Sequence, residues 1–294
     1  MSERVTPFHC PYCGDEDLRP HADKHGGWEC RSCLRAFSLK MLGIVPPAQK
    51  PAPAPRAVHG SPLPSWSAAE LREIALRAGR ELEGAPAAAV LEWAVATFGR
   101  RFAVTSSMGD AVLTHLASQV VPGVDVVFLD TGYHFAETIG TRDAVAATLP
   151  VNLLTITPVQ SVAEQDATYG PRLHERDPDL CCALRKVAPL ESALEGYDAW
   201  ATGLRRDETP DRADTPVVGW DDMKQKVKIA PLARWSQDHV ERYARENDVL
   251  VNPLLHDGYP SIGCAPCTRR VAPGEDPRSG RWSGTAKTEC GLHA

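Results

Sequence analysis

The sequence predicts an α/β fold: a mostly parallel sheet with helices on both faces, preceded by a small four-cysteine ribbon and followed by a mobile C-terminal tail. Three observations predict it. From about Ser67 onward, short apolar runs alternate with segments of helical spacing; the first 45 residues carry two Cys-x-x-Cys pairs; and a proline-rich stretch separates the two regions.

In the larger region, Leu71, Ile74, Ala75, Ala78 and Leu82 recur at helical spacing behind Ser67, a good N-cap residue. A second helix follows Pro86, since proline is favoured in a first helical turn. Strands are expected over Phe102–Thr105, Val124–Leu129, Val151–Ile156, Ala199–Thr202 and Val227–Ala230. Helices near 110–119, 135–147, 180–196 and 237–246 separate most of them. Alternation of this kind reads as a parallel sheet covered by helices. Ligands of such sheets bind at the carboxyl ends of the strands, so the loop after Thr105 and the turn after Leu129 are the first candidates. Between Pro46 and Pro64 stand seven prolines, a composition that favours extended backbone and cannot pack a core. The expected organisation is therefore a ribbon over 1–45, a linker over 46–66, a main domain over 67–271 and a tail over 272–294.

Composition narrows the function. With 43% hydrophobic and 24% charged residues the chain has the make-up of an ordinary globular protein. No apolar run reaches the roughly 20 residues needed to cross a bilayer, and the first residues lack the apolar core of a secretory signal. A cytoplasmic location and no membrane partner are expected. The net charge of −6 argues against broad nucleic-acid binding, and residues 1–45 hold six acidic and six basic side chains. No nucleic-acid partner is expected either.

Nine cysteines in a reducing compartment point to metal binding or thiol chemistry rather than disulfides. They divide into Cys10, Cys13, Cys30 and Cys33; then Cys181, Cys182, Cys264 and Cys267; then Cys290 alone. Cys10-x-x-Cys13, 16 residues, then Cys30-x-x-Cys33 is the spacing of a zinc ribbon. So short a unit needs a structural metal to fold, zinc before rubredoxin-like iron. The second set suits an iron–sulfur cluster or, chemically, zinc. Cys290 lies in Lys287-Thr288-Glu289-Cys290-Gly291-Leu292-His293, an exposed terminal thiol that is a liability unless used as a nucleophile.

Two loops look built for anions. Ser106, Ser107, Gly109 and Asp110 follow the first strand and open a helix, where unpaired amides and hydroxyls gather. Asp130, Thr131 and Gly132 follow the second. Arg205, Arg206, Arg278 and Arg281 supply guanidinium forks suited to phosphate and sulfate oxygens.

The stretches SSMGDAVLTHL, VVFLDTGYHFAETIGTRD, CCALRKVAPL, TGLRRDET, GCAPCTRRVAPGEDPRSGRW and ECGLH, in this order, resemble the adenosine-phosphosulfate reductase family, within the wider adenine-nucleotide alpha hydrolase fold. The resemblance covers about Ser67 to Ala294 and leaves the ribbon out. It implies reduction of adenylylsulfate to sulfite and AMP in assimilatory sulfate reduction, through a cysteine S-sulfonate on Cys290. It implies one [4Fe–4S] cluster on Cys181, Cys182, Cys264 and Cys267, and thioredoxin or a similar thiol donor as partner. Lys186 matches the family lysine between cluster and substrate, and Arg205 and Arg278 are the first choices for the substrate's anion. His293 is expected to orient substrate or lower the thiol pKa. Ser107, Met108 and Ala111 stand where ATP-splitting relatives carry two glycines and a serine, which leaves less room for a triphosphate. The alternatives are reduction of 3′-phosphoadenylylsulfate, an ATP-dependent tRNA thiolation enzyme, and a regulator that senses redox state through the cluster.

Overall fold

Ser67 stands near the start of the larger of two units, Met1–Ser61 and Pro62–Ala294, into which the computed structural model divides. It describes residues 9–21, 27–38, 66–283, 287 and 289–292. The linker expected over 46–66 falls outside the described residues except for Trp66.

The Ser67 side chain accepts from the Glu70 amide while the Glu70 carboxylate accepts from the Ser67 amide, a capping box that satisfies two orphan donors of helix α1 (Ala68–Glu81). The helix buries Leu71, Ile74, Ala75 and Ala78, the stripe its spacing predicts. Helix α2 (Ala87–Phe98) follows with Pro86 as its N-cap.

Then the sheet begins: β4 (Phe102–Thr105), α3 (Val112–Val120), β5 (Val124–Leu129), α4 (Ala136–Thr148), β6 (Val151–Ile156), α5 (Val162–Tyr169), α6 (Leu173–Arg176), α7 (Pro178–Cys182), a π-helical turn over Ala183–Val187, α8 (Ala188–Ala193), β7 (Ala199–Ala201), β8 (Val218–Asp221), β9 (Lys226–Ile229) and α9 (Gln237–Glu246). The strand order is β6-β5-β4-β7-β9-β8. Every pairing is parallel except β8 with β9 at the edge, and Val104 stands opposite both Val126 and Ala201.

Alternating side chains feed two apolar layers, as the pleat requires. Phe102, Val104, Val126, Phe128, Ala199 and Ala201 face the larger core, which receives α1, α2, α3 and α9. Ala103, Val127 and Trp200 face the other way, against Leu190 and Leu194 at α8. Helices thus cover both faces. No helix among the described residues is long and apolar enough to cross a membrane.

Three departures from the expected elements have physical causes. β8 is a four-residue edge strand containing Gly219 and Asp221, recognisable only through its partner β9. α5 buries Gln165 alone, so it has no apolar stripe to read. The helix expected over 180–196 is interrupted by the π-helical turn. In addition, residues 272–283 belong to the body of the larger unit. Trp282 is 4% exposed, its amide donates to Cys267 O at 3.0 Å, and Thr268 bridges to Arg281.

The smaller unit is a three-stranded antiparallel sheet of β1 (Leu18–Pro20), β2 (Gly27–Cys30) and β3 (Ala36–Ser38). Its two cysteine turns are the same structure twice. Gly14 N–H donates to Cys10 O and Leu34 N–H to Cys30 O; Cys10 N–H donates to Asp15 O and Cys30 N–H to Arg35 O. Both fifth positions take the left-handed conformation, Gly14 at φ +77° and Leu34 at φ +57°.

Candidate active site

The carboxyl ends of β4, β5 and β7 open onto a cleft of about 300 Å³, walled by Ser106, Ser107, Gly109, Asp110, Thr131, Lys186, Gly203, Arg205, Arg278, Arg281 and Cys290. Of the residues singled out from sequence, these meet at one place. Asp130 and Gly132 do not line it, and His293 lies outside the described residues.

Local bonding explains how the β4 loop is held. Ser106 N–H donates to Val127 O, and the Ser106 hydroxyl accepts from Met108 N–H. Asn252, fully buried, donates through its side chain to Met108 O and through its amide to Gly109 O. Met108 takes φ +59°, the conformation a glycine would hold easily, yet its side chain is buried in the core and does not narrow the cleft. Any reduced room for a triphosphate therefore comes from elsewhere in the loop than Met108. Asp110, one residue before the Ala111 N-cap of α3, accepts from Val112 N–H, and burial raises its pKa, opposed by that hydrogen bond and by Arg205.

Asp130 and Gly132 build the turn rather than the cleft. The Asp130 carboxylate accepts from Gly132 N–H at 3.0 Å and stands 3.7 Å from Arg142. Gly132 has φ +72°, and a Cβ there would lie 3.1 Å from Arg185 Nη2. Arg185, buried, donates to Thr131 O and to Gln165 Oε1 and lies over the Tyr133 ring. It ties the β5 turn to the cysteine-bearing helix.

Behind the cleft, Cys181, Cys182, Cys264 and Cys267 line a second cavity. Lys186 and Trp282 are walls of both. Cys181 and Cys182 end α7, and the π-helical turn begins at once; such turns recur at functional sites because they re-aim neighbouring side chains. The Thr131 hydroxyl sits 3.2 Å from Cys264 Sγ, and Ala265 N–H donates to Tyr133 O. Burial, then the neighbouring Cys264 and Cys267, push the Cys181 thiol up to about 11; burial and Cys264 raise Cys267 as well. Buried thiols raised in this way ionise readily only around a cation, so the donor set fits a metal centre. Lys186 is half-buried, and desolvation alone would lower its pKa, but Cys264, Cys290 and Cys182 outweigh it and raise it.

In the smaller unit the four cysteine sulfurs all lie within 4.8 Å of one another, with Cys10–Cys33 and Cys13–Cys30 each at 3.6 Å. Tetrahedral zinc with Zn–S near 2.3 Å sets its sulfurs about 3.8 Å apart. That group can hold a single metal ion. It is the one group of three or more potential ligands drawn this close among the described residues.

Arg281 reaches from the tail into the wall of the cleft. Its Nη1 donates to Ser261 Oγ and Ile262 O, and its guanidinium stacks over Trp282 at 4.5 Å. A Cβ on Gly263 would fall 2.2 Å from Arg281 Nη2, so the missing side chain makes the slot the guanidinium fills. Arg205 donates to Asp207 at 3.0 Å and to Gln237 at 2.7 Å, which aims its fork. Cys290 is half-buried, and the neighbouring Cys182, then Lys186 and Arg281, draw its thiol below the usual range against burial.

Four ionisable cleft residues escaped the sequence reading. Glu208 and Arg212 lie beyond Arg205, and Arg212 donates to Glu289, 77 residues away. His134 packs on Phe128, its Nε2 2.8 Å from Leu129 O, and burial lowers its pKa. Glu289 sits inside a quoted motif; only its position beside Cys290 hinted at a role.

The family model for the phosphoadenosine phosphosulfate reductase domain matches residues 101–270. Adenosine 5′-phosphosulfate reductase of Streptomyces coelicolor is 70% identical over 76% of this chain and 95% of its own length. That of Rhodococcus opacus is 56% identical over 79% of this chain and 98% of its own. Among solved structures, phosphoadenylyl-sulfate (PAPS) reductase from Candida auris, in a phosphate complex, superposes with a TM-score of 0.58 at 31% identity, covering 71% of this chain and 99% of that one. With more than half its length matched by the domain and relatives of such identity, this chain belongs to the phosphoadenosine phosphosulfate reductase domain family.

Proposed function

We propose that this chain is a thiol-dependent adenylylsulfate reductase of assimilatory sulfate reduction. The observation that carries the reading is Cys290 in the wall of a cleft that also holds Lys186, Arg205, Arg278 and Arg281, the groups needed to receive a nucleotide's phosphosulfate. The names of relatives 70% and 56% identical support adenylylsulfate as substrate.

In the first step the Cys290 thiolate attacks the sulfate sulfur. A sulfur–sulfur bond forms, the bond from sulfur to the phosphate oxygen breaks, and AMP departs with the electron pair. Lys186 and the three arginines offset the charge that collects on the leaving phosphate and on the transferring sulfonate oxygens. In the second step a donor thiolate, from thioredoxin or a similar protein, attacks Cys290 Sγ. A disulfide forms and sulfite leaves with the electron pair; the donor's second thiol then restores Cys290. Splitting the transfer in two is the usual gain of covalent catalysis.

Cys181, Cys182, Cys264 and Cys267 are the proposed ligands of a [4Fe–4S] cluster, and Cys10, Cys13, Cys30 and Cys33 of zinc. When bound, the cluster supplies a fixed net negative charge facing Lys186, which keeps that lysine protonated at the cleft wall. Preference for adenylylsulfate over its 3′-phosphorylated form has support in Arg212. It is a further basic group in the cleft, but Glu208 and Glu289 already neutralise it.

Sulfite release from adenylylsulfate with thioredoxin, using protein purified without oxygen, tests the proposal. No sulfite and no AMP from protein with its iron intact would end it.

A further inference from the structure

Glu289 stands one residue before the proposed nucleophile, and its carboxylate is fully engaged. Oε1 accepts from Arg212 Nε at 3.0 Å and lies 3.1 Å from Arg278 Nη2; Oε2 accepts from Arg212 Nη2 at 2.8 Å and from the Cys290 amide at 3.3 Å. Arg212 is therefore forked onto both oxygens while Arg278 closes on one. The side chains are sheltered, Arg212 12% and Arg278 16% exposed, Glu289 27%. Exposed ion pairs hold little, but a sheltered bidentate fork fixes orientation as well as charge. Arg212 is braced in turn by Glu208, so the clamp has a stiff far side.

On the other flank of Cys290, Lys224 Nζ donates to Leu292 O at 3.2 Å, and Leu292 packs onto the layer of Leu190, Leu194 and Trp200. The nucleophile thus lies between a polar fastening and an apolar one, two residues to either side at most. Nothing in the chemistry of sulfur transfer needs a carboxylate at this place. A negative charge in a cleft meant for an anion would weaken binding unless it did something else.

We propose that Glu289 is a positioning residue: the Arg212–Glu289–Arg278 clamp fixes Cys290 over the cleft for attack on sulfur, and its release presents the S-sulfonate to the donor thiol. This rests on Cys290 being the nucleophile. The carboxylate touches no reacting atom. It sets the backbone that carries the thiol, and small misplacements of a nucleophile cost large factors in rate.

The test uses full-length protein with its metals and the variants Glu289→Gln, Arg212→Gln, Arg212→Lys and the Glu289→Gln/Arg212→Gln pair. Three quantities are measured: the rate of S-sulfonate formation on Cys290 with adenylylsulfate and no thiol donor, AMP affinity by equilibrium dialysis, and iodoacetamide labelling of Cys290. Glu289→Gln should slow S-sulfonate formation at least about tenfold, raise labelling severalfold and leave AMP binding as tight as in the wild type or tighter, since a negative charge leaves the cleft. Arg212→Lys keeps the charge but loses the fork, and should move both rates the same way, less far. The pair should be no slower than its slower single variant, because both remove one interaction. S-sulfonate formation and labelling within about twofold of the wild type in Glu289→Gln would overturn the proposal, as would a slowing matched by an equal loss of AMP affinity. If Glu289→Gln fails to fold, Arg212→Lys decides: full rate and unchanged labelling refute the clamp. Failure of the wild type to form S-sulfonate would refute the nucleophile assignment instead, with the labelling arm still reporting whether Glu289 restrains Cys290.

Discussion

The two sets of four cysteines differ in how tightly they gather. In the smaller unit two copies of one turn bring all four sulfurs within 4.8 Å, the spacing of a single ion. In the larger unit Cys181 and Cys182, adjacent in sequence, and Cys264 and Cys267, from a loop about eighty residues on, line the wall of a cavity instead. Thiolates on one ion must nearly touch. Thiolates on a four-iron cluster each hold a different iron and are kept apart by the body of the cluster. Under the proposed assignment the same ligand count and chemistry would serve two purposes. The compact set would staple a unit too small to fold by burial, and the open set would hold its group against the wall it shares with the cleft.

Exchange of single cysteines tests this contrast most severely. Cys264→Ser should remove the iron, about four per chain in the wild type, and with it all sulfite release, while the ribbon keeps its zinc. Cys10→Ser should lose zinc and leave iron and small-thiol activity in place. Metal analysis of both variants checks the pair of outcomes, and loss of both metals in either would erase the distinction.

Cys290→Ser should keep both metals and fold, yet fall below about a hundredth of wild-type sulfite production, since a serine oxygen is a poor nucleophile near neutral pH. Retained turnover would move the chemistry away from the tail.

A smaller effect concerns the substrate. With Arg212 held by Glu208 and Glu289, a 3′-phosphate would meet no ready partner, and unpaired buried polar groups cost about 1–3 kcal/mol. The ratio of kcat/KM should favour adenylylsulfate by more than about tenfold. Equal values would show that the arginine exchanges partners.

The smallest change is expected on removing the ribbon. A chain beginning near Ser61 should retain its iron and release sulfite at close to the full rate with a small thiol. Should activity fall with thioredoxin alone, through KM, the ribbon is a docking element; should the iron be lost, the ribbon supports the cluster.

Much of the sheet was legible because buried β4 and β5 are mainly apolar and half-buried edge strand β6 still carries Val151, Leu153, Leu154 and Ile156; all three span the residues their sequences suggest. β8 and α5 were not, because one depends on its partner for identity and the other buries almost nothing. In the site, side chains that act in their own loop could be found one by one. Asp130 and Gly132 show the limit, since a polar glycine turn reads alike whether it meets a ligand or, as here, an arginine from another helix. Arg212 and Glu289 show the other limit. Their fork joins positions 77 apart, and neither residue signals the other.

The π-helical turn over Ala183–Val187 makes this stretch sensitive to chain length in a way that substitution would not reveal. Each residue of an α-helix advances about 100° around the axis, and a π turn takes up roughly one residue more than an α turn. Deleting one residue from that turn would let the helix close into regular α geometry. Because the turn already absorbs the extra residue, the Cys181–Cys182 pair would keep its face relative to α8, and the change would fall on the turn itself. The layer of Leu190 and Leu194 would stay packed, while Arg185 would lose its reach to Thr131 O and Lys186 its place in the cleft wall.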